Sequence, residues 1–310
     1  MVIVVGSLNM DLVIKAPKIP RPGETVLGYD FKQVPGGKGG NQAAACAKLN
    51  MKTRMFGAIG KDSMGNFLKE SLANDGVDID NVVEKDNFAT GIAAIVVDDG
   101  GNNAITVSPG ANSAFRSYDL EDMEDGFKGG KALLVQLETP IDTVRKALEI
   151  ANKYNMVKIL NPAPALLLED DIYSLVDILT PNESELELLT GLPTSSIDEV
   201  KIAGESLIKK GVKNLIVTLG KKGSLHLTRD YYKYYEAYKV KAIDTTGAGD
   251  SFNAGLAVSL SRGNPIEEAI TFATKVGAIT VTRPGAQTSL PLLSEVEAFE
   301  KWYKINRLEG

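Results

Sequence analysis

Residues 244–252 have the sequence DTTGAGDSF, in which two glycines precede an aspartate at the start of a helical pattern. The segment follows a run at 238–243 in which apolar residues alternate with others. It leads into residues 252–260, whose apolar side chains recur at helical spacing. Gly247 and Gly249 allow a tight turn with outward-pointing N–H groups, where the helix dipole favours a negative charge. Asp250 is predicted in the first turn of that helix. A carboxylate base beside such donors is what phosphoryl transfer to a hydroxyl requires.

The alternative for the same segment is structural. Asp is favoured near helix N-termini as a cap, and glycines before a helix are ordinary turn residues. A helix N-terminus also stabilises an ionised carboxylate, so we expect Asp250 to be a weak base. The local pattern alone leaves both interpretations open.

Composition limits the class of protein. The chain has 310 residues, of which 44% are hydrophobic, enough for one large α/β domain with a small addition. The net charge of −6 argues against nucleic acid or an anionic membrane as a partner. The lone cysteine, Cys46, excludes an internal disulfide and is expected to be a buried thiol on a helix. Without a signal peptide or a membrane-spanning run, the sequence predicts a cytoplasmic protein.

Short apolar runs alternate with helical patterns through most of the chain, which predicts a parallel sheet with helices on both faces. The predicted strands of this sheet are 2–5, 53–59, 132–137, 157–160, 178–180 and 215–219, and the predicted helices are 40–49, 66–73, 141–153, 184–189 and 199–210. Segments 12–15, 24–34, 90–97 and 103–107 have mixed polarity and are predicted as antiparallel strands of a small separate sheet. This small sheet is expected to act as a lid over the ligand site.

Polar residues follow many of the predicted strands, where open α/β sheets bind ligands. These clusters lie at 9–11, 35–41, 136–140, 180–185 and 218–223. The glycine-rich cluster 36–41 is not a Walker A motif, because Gly39 follows Lys38, and no dinucleotide fingerprint follows the first strand. Asn9, Asp11, Asn41 and Glu138 offer groups that hydrogen-bond several hydroxyls at once. With only one lysine among them, the cluster predicts a neutral polyol rather than a sugar phosphate.

Residues 244–252 resemble the second signature of the ribokinase-like, or PfkB, carbohydrate kinases, and GGKGGN at 36–41 is similar to the first. The resemblance covers almost the whole chain. It implies a three-layer, Rossmann-like α/β fold in one catalytic domain, 1–310, with lid insertions at about 11–35 and 88–110. It also implies ATP-dependent phosphorylation of the primary 5-hydroxyl of D-ribose, with Asp250 as base and Gly247, Ala248 and Gly249 as anion hole.

The family resemblance further implies the binding residues. The sugar would be bound by Asn9, Asp11, Gly37, Lys38, Asn41, Glu138 and Asp250, and ATP by Asn182, Glu185, Thr218, Gly220, Gly223, Gly249 and Thr274. Mg²⁺ would be held through water under Glu185, and K⁺ would be enclosed by Asp244, Thr246, Thr280, Arg283, Gly285 and Ser289. A homodimer through the lid is the expected assembly, because exposed sheet edges favour pairing.

Other functions remain open at this point. A related kinase could act on deoxyribose, fructose or a nucleoside. The chain could instead be a sugar sensor that has lost catalysis, although sugar binding alone requires neither Asp250 nor the glycines before it. The single histidine, His226, is predicted to have a structural role in a strand, and 231–235 is predicted to be an edge strand.

Overall fold

The computed structural model describes residues 1–307, so the last three residues of the predicted domain 1–310 lie outside the described residues. The strands are β1 (Val2–Val5), β2 (Asn9–Lys15), β3 (Asp30–Gly36), β4 (Thr53–Gly60), β5 (Asp78–Lys85), β6 (Gly91–Val97), β7 (Asn103–Ser108), β8 (Ala132–Val135), β9 (Val157–Leu160), β10 (Ile178–Leu179), β11 (Asn214–Thr218), β12 (Gly223–Leu227) and β13 (Tyr232–Glu236). The α-helices are α1 (Lys38–Lys48), α2 (Ser63–Asn74), α3 (Ser117–Asp122), α4 (Ile141–Lys153), α5 (Asp170–Leu175), α6 (Glu183–Thr190), α7 (Ile197–Lys209), α8 (Ala248–Ser261), α9 (Ile266–Thr280), α10 (Leu293–Glu297) and α11 (Phe299–Asn306).

Within residues 1–307, one sheet has nine strands in the order β13-β12-β11-β10-β9-β8-β1-β4-β5. The seven neighbouring strands β11-β10-β9-β8-β1-β4-β5 pair in parallel, as the alternation of strands and helices predicted. The end formed by β11, β12 and β13 is antiparallel, which the sequence interpretation missed. Only a short 3-10 turn, Gly220–Lys222, joins β11 to β12, and a parallel return would need a crossover of a dozen residues or more. The predicted edge strand at 231–235 is confirmed as β13.

Apolar residues fill both faces of the large sheet. Successive residues of β1 alternate between two buried clusters, with Val2 and Val4 in one and Ile3 and Val5 in the other. Helices α1, α8 and α9 bury their apolar residues in the first cluster, and α4, α6 and α7 bury theirs in the second. The predicted three-layer α/β fold is therefore confirmed. Cys46 is wholly buried on α1, as expected.

A second sheet has the order β3-β2-β6-β7 and contains the four predicted segments. Strands β2 and β3 pair antiparallel, as do β6 and β7, but the central strands β2 and β6 pair in parallel, which corrects the prediction of a wholly antiparallel sheet. Its register places Asn9 opposite Gly36 and Gly91, and Asp11 opposite Val34 and Ala93. Successive side chains of a strand point to opposite faces, so Asn9 and Asp11, two residues apart on β2, face the same side of this sheet. The strand predicted at 24–34 begins only at Asp30, because β2 ends at Lys15 and Pro17 follows two residues later.

The C-terminal part of the chain contributes elements that periodicity did not predict. Helix α9 packs along α8, and the segment 238–243 forms no strand apart from a single bridge at Val240.

Among residues 1–307, no helix is long and apolar enough to cross a membrane.

Candidate active site

Helix α8 begins where the sequence predicted, after a glycine turn. Gly247 has a φ of 73°, a left-handed conformation that favours glycine, and a side chain there would approach Ala286. Asp250 lies in the first turn and is only 7% exposed. Its burial raises the pKa of its carboxyl, and Lys38 with two amide donors opposes that effect without reversing it. The expectation that Asp250 would be a weak base is therefore wrong, because burial raises its pKa by more than Lys38 and the two amides lower it.

Two neighbouring amides of α1 hold the Asp250 carboxylate. Asn41 Nδ2 donates to Oδ2 at 2.9 Å, and Gln42 Nε2 donates to Oδ1 at 3.1 Å. Each of these amides is oriented in turn by a glutamine, because Asn41 Oδ1 accepts from Gln287 Nε2 at 3.2 Å and Gln42 Oε1 accepts from Gln136 Nε2 at 2.7 Å. Gln42 was not among the predicted site residues. Its sequence signal is an amide at the start of the small apolar run 43–47.

The predicted sugar-binding residues come together around Lys38. The backbone N–H of Lys38 donates to Glu138 Oε2 at 3.1 Å, and the hydroxyl of Ser7 donates to the same oxygen. Burial lowers the pKa of Lys38, but the surrounding carboxylates of Asp250, Glu138, Glu185 and Asp11 raise it to a net value above its ordinary one. Lys38 therefore stays charged. It lies within electrostatic reach of Asp11 and Glu138, which are predicted to bind the sugar, and of Glu185, which is predicted to bind ATP.

Asp11 and Asn9 enter the same region from the second sheet. Burial, with repulsion from Glu138 and Asp250, raises the pKa of Asp11 to about 7. Asn9 Oδ1 accepts from Asn112 Nδ2 at 2.8 Å, which leaves the Asn9 amide nitrogen free to be a donor to a ligand. Asn112 was not predicted, since nothing in its local sequence marks it.

The backbone at Gly37 leaves no room for a side chain. Its φ is 83°, and a Cβ there would lie 2.7 Å from the backbone nitrogen of Asn9. The loop before α1 thus packs directly on the backbone at the start of β2. The close approach brings Lys38 within electrostatic reach of Asp11.

A cavity of about 630 Å³ lies on the other side of the start of α8. Of the residues predicted to bind ATP, all except Glu185 line it, namely Asn182, Thr218, Gly220, Gly223, Gly249 and Thr274. Asn182 and Glu185 form a reciprocal cap on α6, in which Glu185 N donates to Asn182 Oδ1 at 2.8 Å and Asn182 N donates to Glu185 Oε2 at 2.9 Å. Burial raises the pKa of Glu185, which is close enough to Asp250 and Lys38 to be affected by their charges.

The walls of this cavity include residues that the sequence did not predict. They are contributed mainly by the segment 237–242 and by α9, and include Tyr238, Val240, Ala242, Phe252, Gly277, Ala278 and Val281. The apolar alternation at 238–243 therefore reflects a cavity wall rather than a strand. Because Ala248 and Gly249 line the cavity and Asp250 contacts Asn41, the first turn of α8 separates the cavity from the polar residues around Lys38.

The residues implied for K⁺ lie on the loop before α8, at the end of α9 and on the loop after α9, and one carboxylate joins the two loops. Asp244 Oδ1 accepts from Thr246 N at 2.9 Å and from its hydroxyl at 2.6 Å, and Oδ2 accepts from Gly285 N at 2.8 Å. Burial raises the pKa of Asp244, but these hydrogen bonds lower it more, so that its pKa falls below the ordinary value. Thr280, the last residue of α9, and Ser289, on the loop that follows, are wholly buried, and the Arg283 side chain pairs with Glu295. One ionised carboxylate with neutral oxygens suits a monovalent cation.

Other ionisable residues do not extend the site. Over residues 1–307, no group of three or more His, Cys, Asp or Glu side chains could hold a metal ion by itself. His226 is buried in β12 and its Nε2 lies 3.0 Å from Asn214 Oδ1, in keeping with a structural role. A divalent ion here would therefore need oxygens from a bound phosphate or water in addition to protein groups.

A sequence model described as the pfkB family carbohydrate kinases matches residues 1–293. The chain belongs to this family. Among pfkB relatives, the ribokinase of Haemophilus influenzae is 38% identical over 96% of this chain and 97% of its own length. The deoxyribokinase of Salmonella typhi is 36% identical over 98% of each chain. The structure of Arabidopsis thaliana ribokinase complexed with ribose and ATP superimposes with a TM-score of 0.89 at 32% identity, over 97% of this chain and 98% of that one.

Proposed function

We propose that this pfkB-family kinase is a ribokinase, which transfers the γ-phosphoryl group of ATP to the 5-hydroxyl of D-ribose and releases ribose 5-phosphate and ADP. The observation that carries the proposal is the position of Asp250, at the helix turn that divides a polar, carboxylate-rich cluster from the 630 Å³ cavity. A sugar on one side and a nucleotide on the other would meet at this residue. The ribokinases of Haemophilus influenzae and Arabidopsis thaliana support the choice of acceptor.

The polar cluster supplies what a neutral sugar needs. We assign sugar binding to the side chains of Asn9, Asp11, Lys38, Asn41 and Glu138 and to the backbone of Gly37. Carboxylates accept from sugar hydroxyls, while the amides and Lys38 donate to sugar oxygens. The charges of Asp11, Glu138 and Asp250 require Lys38 among them, since like charges in a buried site are otherwise costly.

The transfer itself needs a base and donors to the moving charge. The Asp250 carboxylate accepts the proton of the 5-hydroxyl, the sugar oxygen bonds to the γ-phosphorus, and the bond from that phosphorus to the β–γ bridging oxygen breaks as ADP leaves. The N–H groups of Gly247, Ala248 and Gly249 would hold the charge of the transferring group. The N–H of Ala248 donates to the Thr245 carbonyl at 3.2 Å here, a weak bond that a phosphoryl oxygen could replace.

The ATP assignment follows the cavity wall. Asn182, Thr218, Gly220, Gly223, Gly249 and Thr274 would contact the nucleotide, and Glu185 would hold Mg²⁺ through water. Magnesium, when bound, neutralises charge on the phosphates. Asp244, Thr246, Thr280, Arg283, Gly285 and Ser289 would hold K⁺, with Asp244 supplying the only carboxylate. An ion in these loops would set the geometry of the anion hole without contacting either substrate.

We further propose one catalytic domain, whose lid is formed by the insertions at about 11–35 and 88–110 and whose dimer forms through that lid. The apolar residues Ile105 and Val107 on edge strand β7 are about half exposed and favour such pairing. A cytoplasmic location fits the lone, buried thiol of Cys46.

The test is ADP release coupled to an indicator reaction, with ATP, Mg²⁺ and K⁺, on ribose, deoxyribose, fructose and adenosine in parallel. We expect fast turnover on ribose, with the phosphate on the 5-oxygen. Asp250→Asn should keep sugar binding but lower turnover by at least about a hundredfold. A preference for deoxyribose, which the Salmonella typhi relative makes the second candidate, would change the acceptor but not the mechanism. Sugar binding without turnover on any acceptor would indicate a sensor.

A further inference from the structure

The side chain of Gln42 has no exposed surface, yet all of its polar groups are hydrogen-bonded around Asp250. Gln42 Nε2 donates to Asp250 Oδ1 at 3.1 Å and to Asn161 Oδ1 at 3.2 Å. Gln42 Oε1 accepts from Gln136 Nε2 at 2.7 Å. A wholly buried amide cannot contact either substrate, so its effect on the reaction must pass through the carboxylate that it holds.

Gln136 determines which end of the Gln42 amide faces Asp250. With the amide reversed, Gln42 Oε1 would face a carboxylate oxygen, and its nitrogen would face the Gln136 nitrogen. Gln136 keeps this orientation although its own Oε1 is buried without a hydrogen-bond partner in the described part of the chain. Leaving a buried acceptor unpaired costs free energy. The structure therefore keeps the hydrogen bond from Gln136 Nε2 to Gln42 Oε1 at the expense of a partner for Gln136 Oε1.

We propose that Gln42, oriented by Gln136, is the positioning residue that fixes the Asp250 carboxylate toward the acceptor hydroxyl. The inference rests on the proposed function, in which Asp250 is the base. Asn41 also donates to Asp250, but Asn41 is assigned to the sugar, so its amide is shared between the carboxylate and the substrate. Gln42 is shielded from both substrates and holds Oδ1 throughout the reaction.

Removing the Gln42 donor has a defined electrostatic consequence. Burial raises the pKa of Asp250, Lys38 and the amides of Asn41 and Gln42 lower it, and Glu138 raises it. Asp11 and Glu185 are the other carboxyls within reach of Asp250. Because a hydrogen bond to a carboxylate favours its charged form, its loss raises the pKa of Asp250 and leaves less of the base ionised at low pH.

The experiment compares Gln42→Met, which keeps the length of the side chain without its amide, with the wild type on the sugar that the wild type phosphorylates. We expect kcat to fall about tenfold or more, as for loss of one hydrogen bond to a charged group, while KM for the sugar changes less than about threefold. The acid limb of the kcat–pH profile should move at least about half a unit to higher pH.

The matched control is Thr143→Val on α4, which removes a buried hydrogen bond of 2.6 Å to the Phe115 carbonyl, outside the site. It should leave the acid limb in place even if the protein melts earlier. If Gln42→Met does not fold, Gln136→Met frees the Gln42 amide to reverse and should move the limb in the same direction by less.

An unmoved acid limb and a normal kcat in folded Gln42→Met, or in Gln136→Met where only that variant folds, would overturn the inference. Asp250→Asn separates this failure from failure of the proposed function. If Asp250→Asn is inactive while Gln42→Met is normal, Asp250 remains the base and only the role of Gln42 is lost. If Asp250→Asn is active, the proposed base itself is refuted, and the inference falls with it.

Discussion

Gly285 donates its backbone N–H to Asp244 Oδ2 at 2.8 Å and thereby joins the loop after α9 to the loop before α8. The other oxygen of Asp244 holds Thr246, one residue before the glycine turn. Both loops therefore bend around a single ionised carboxylate. A cation held by their oxygens would stabilise the start of α8, where the charge of the transferring phosphoryl group is expected.

Turnover should accordingly depend on potassium. At fixed ionic strength, we expect initial rates at least about fivefold higher in KCl than in NaCl, because the larger K⁺ suits a site built mostly of neutral oxygens. Asp244→Ala should remove this difference. Asp98→Ala is the matched control, since Asp98 also holds a turn, accepting from Asn102 N at 2.8 Å, but between β6 and β7 of the second sheet. Equal wild-type rates in the two salts would contradict the assignment.

The sequence predicted the helices and strands with a regular hydrophobic pattern better than the contacts between distant residues. The sequence pattern gave 2–5 and 141–153 with the bounds that β1 and α4 have, because β1 is buried along its whole length and α4 buries one face. Gln42 and Asp250 are 208 residues apart, and no local pattern relates them. The pKa of Asp250 was predicted in the wrong direction because the sequence locates the helix N-terminus but not the depth of burial. The cavity wall at 238–242 was missed because a wall and a strand share apolar alternation.

Ionisation of Asp11, a proposed sugar ligand, should lower the stability of the folded protein at high pH. Its pKa is raised from 3.8 to about 7, chiefly by burial. The folded protein thus binds this proton more tightly than the unfolded chain does, and stability is lost as the pH rises from the unfolded toward the folded pKa. Asp11→Asn removes this ionisation. The melting temperature of Asp11→Asn minus that of the wild type should be at least about 2 °C higher at pH 8 than at pH 5.

Thermal melts at the two pH values, with KM for the sugar, test this trade-off. Asp11→Asn should raise KM at pH 8, because an amide nitrogen replaces an accepting oxygen. Asp86→Asn is a suitable control, since Asp86 is an exposed carboxylate 3.5 Å from Lys61. If the melting difference between Asp11→Asn and the wild type is the same at both pH values, Asp11 does not titrate as described.

Gly277 offers a way to fill the cavity proposed for the nucleotide without disturbing the fold. It lines the cavity from α9, and a Cβ there would meet only the Ala248 carbonyl, at 4.0 Å. Gly277→Leu should raise KM for ATP at least about tenfold and leave KM for the sugar nearly unchanged. Thr271→Leu, on an exposed position of the same helix, should change neither constant. An unchanged KM for ATP in Gly277→Leu would place the nucleotide elsewhere.

The lid should hold two copies of the chain together through β7. Ile105 is 54% exposed on this edge strand, which pairs only with β6 in the described sheet. A charge introduced there would have to be buried on association, so Ile105→Glu should convert a dimer into the 33.2 kDa monomer, measured by light scattering after gel filtration. Leu167→Glu alters an 80% exposed leucine outside the lid and should leave the mass unchanged. A wild type that is monomeric at every concentration would refute the assembly. If sugar KM rises together with loss of the dimer, the second copy stabilises the lid strands that carry Asn9 and Asp11.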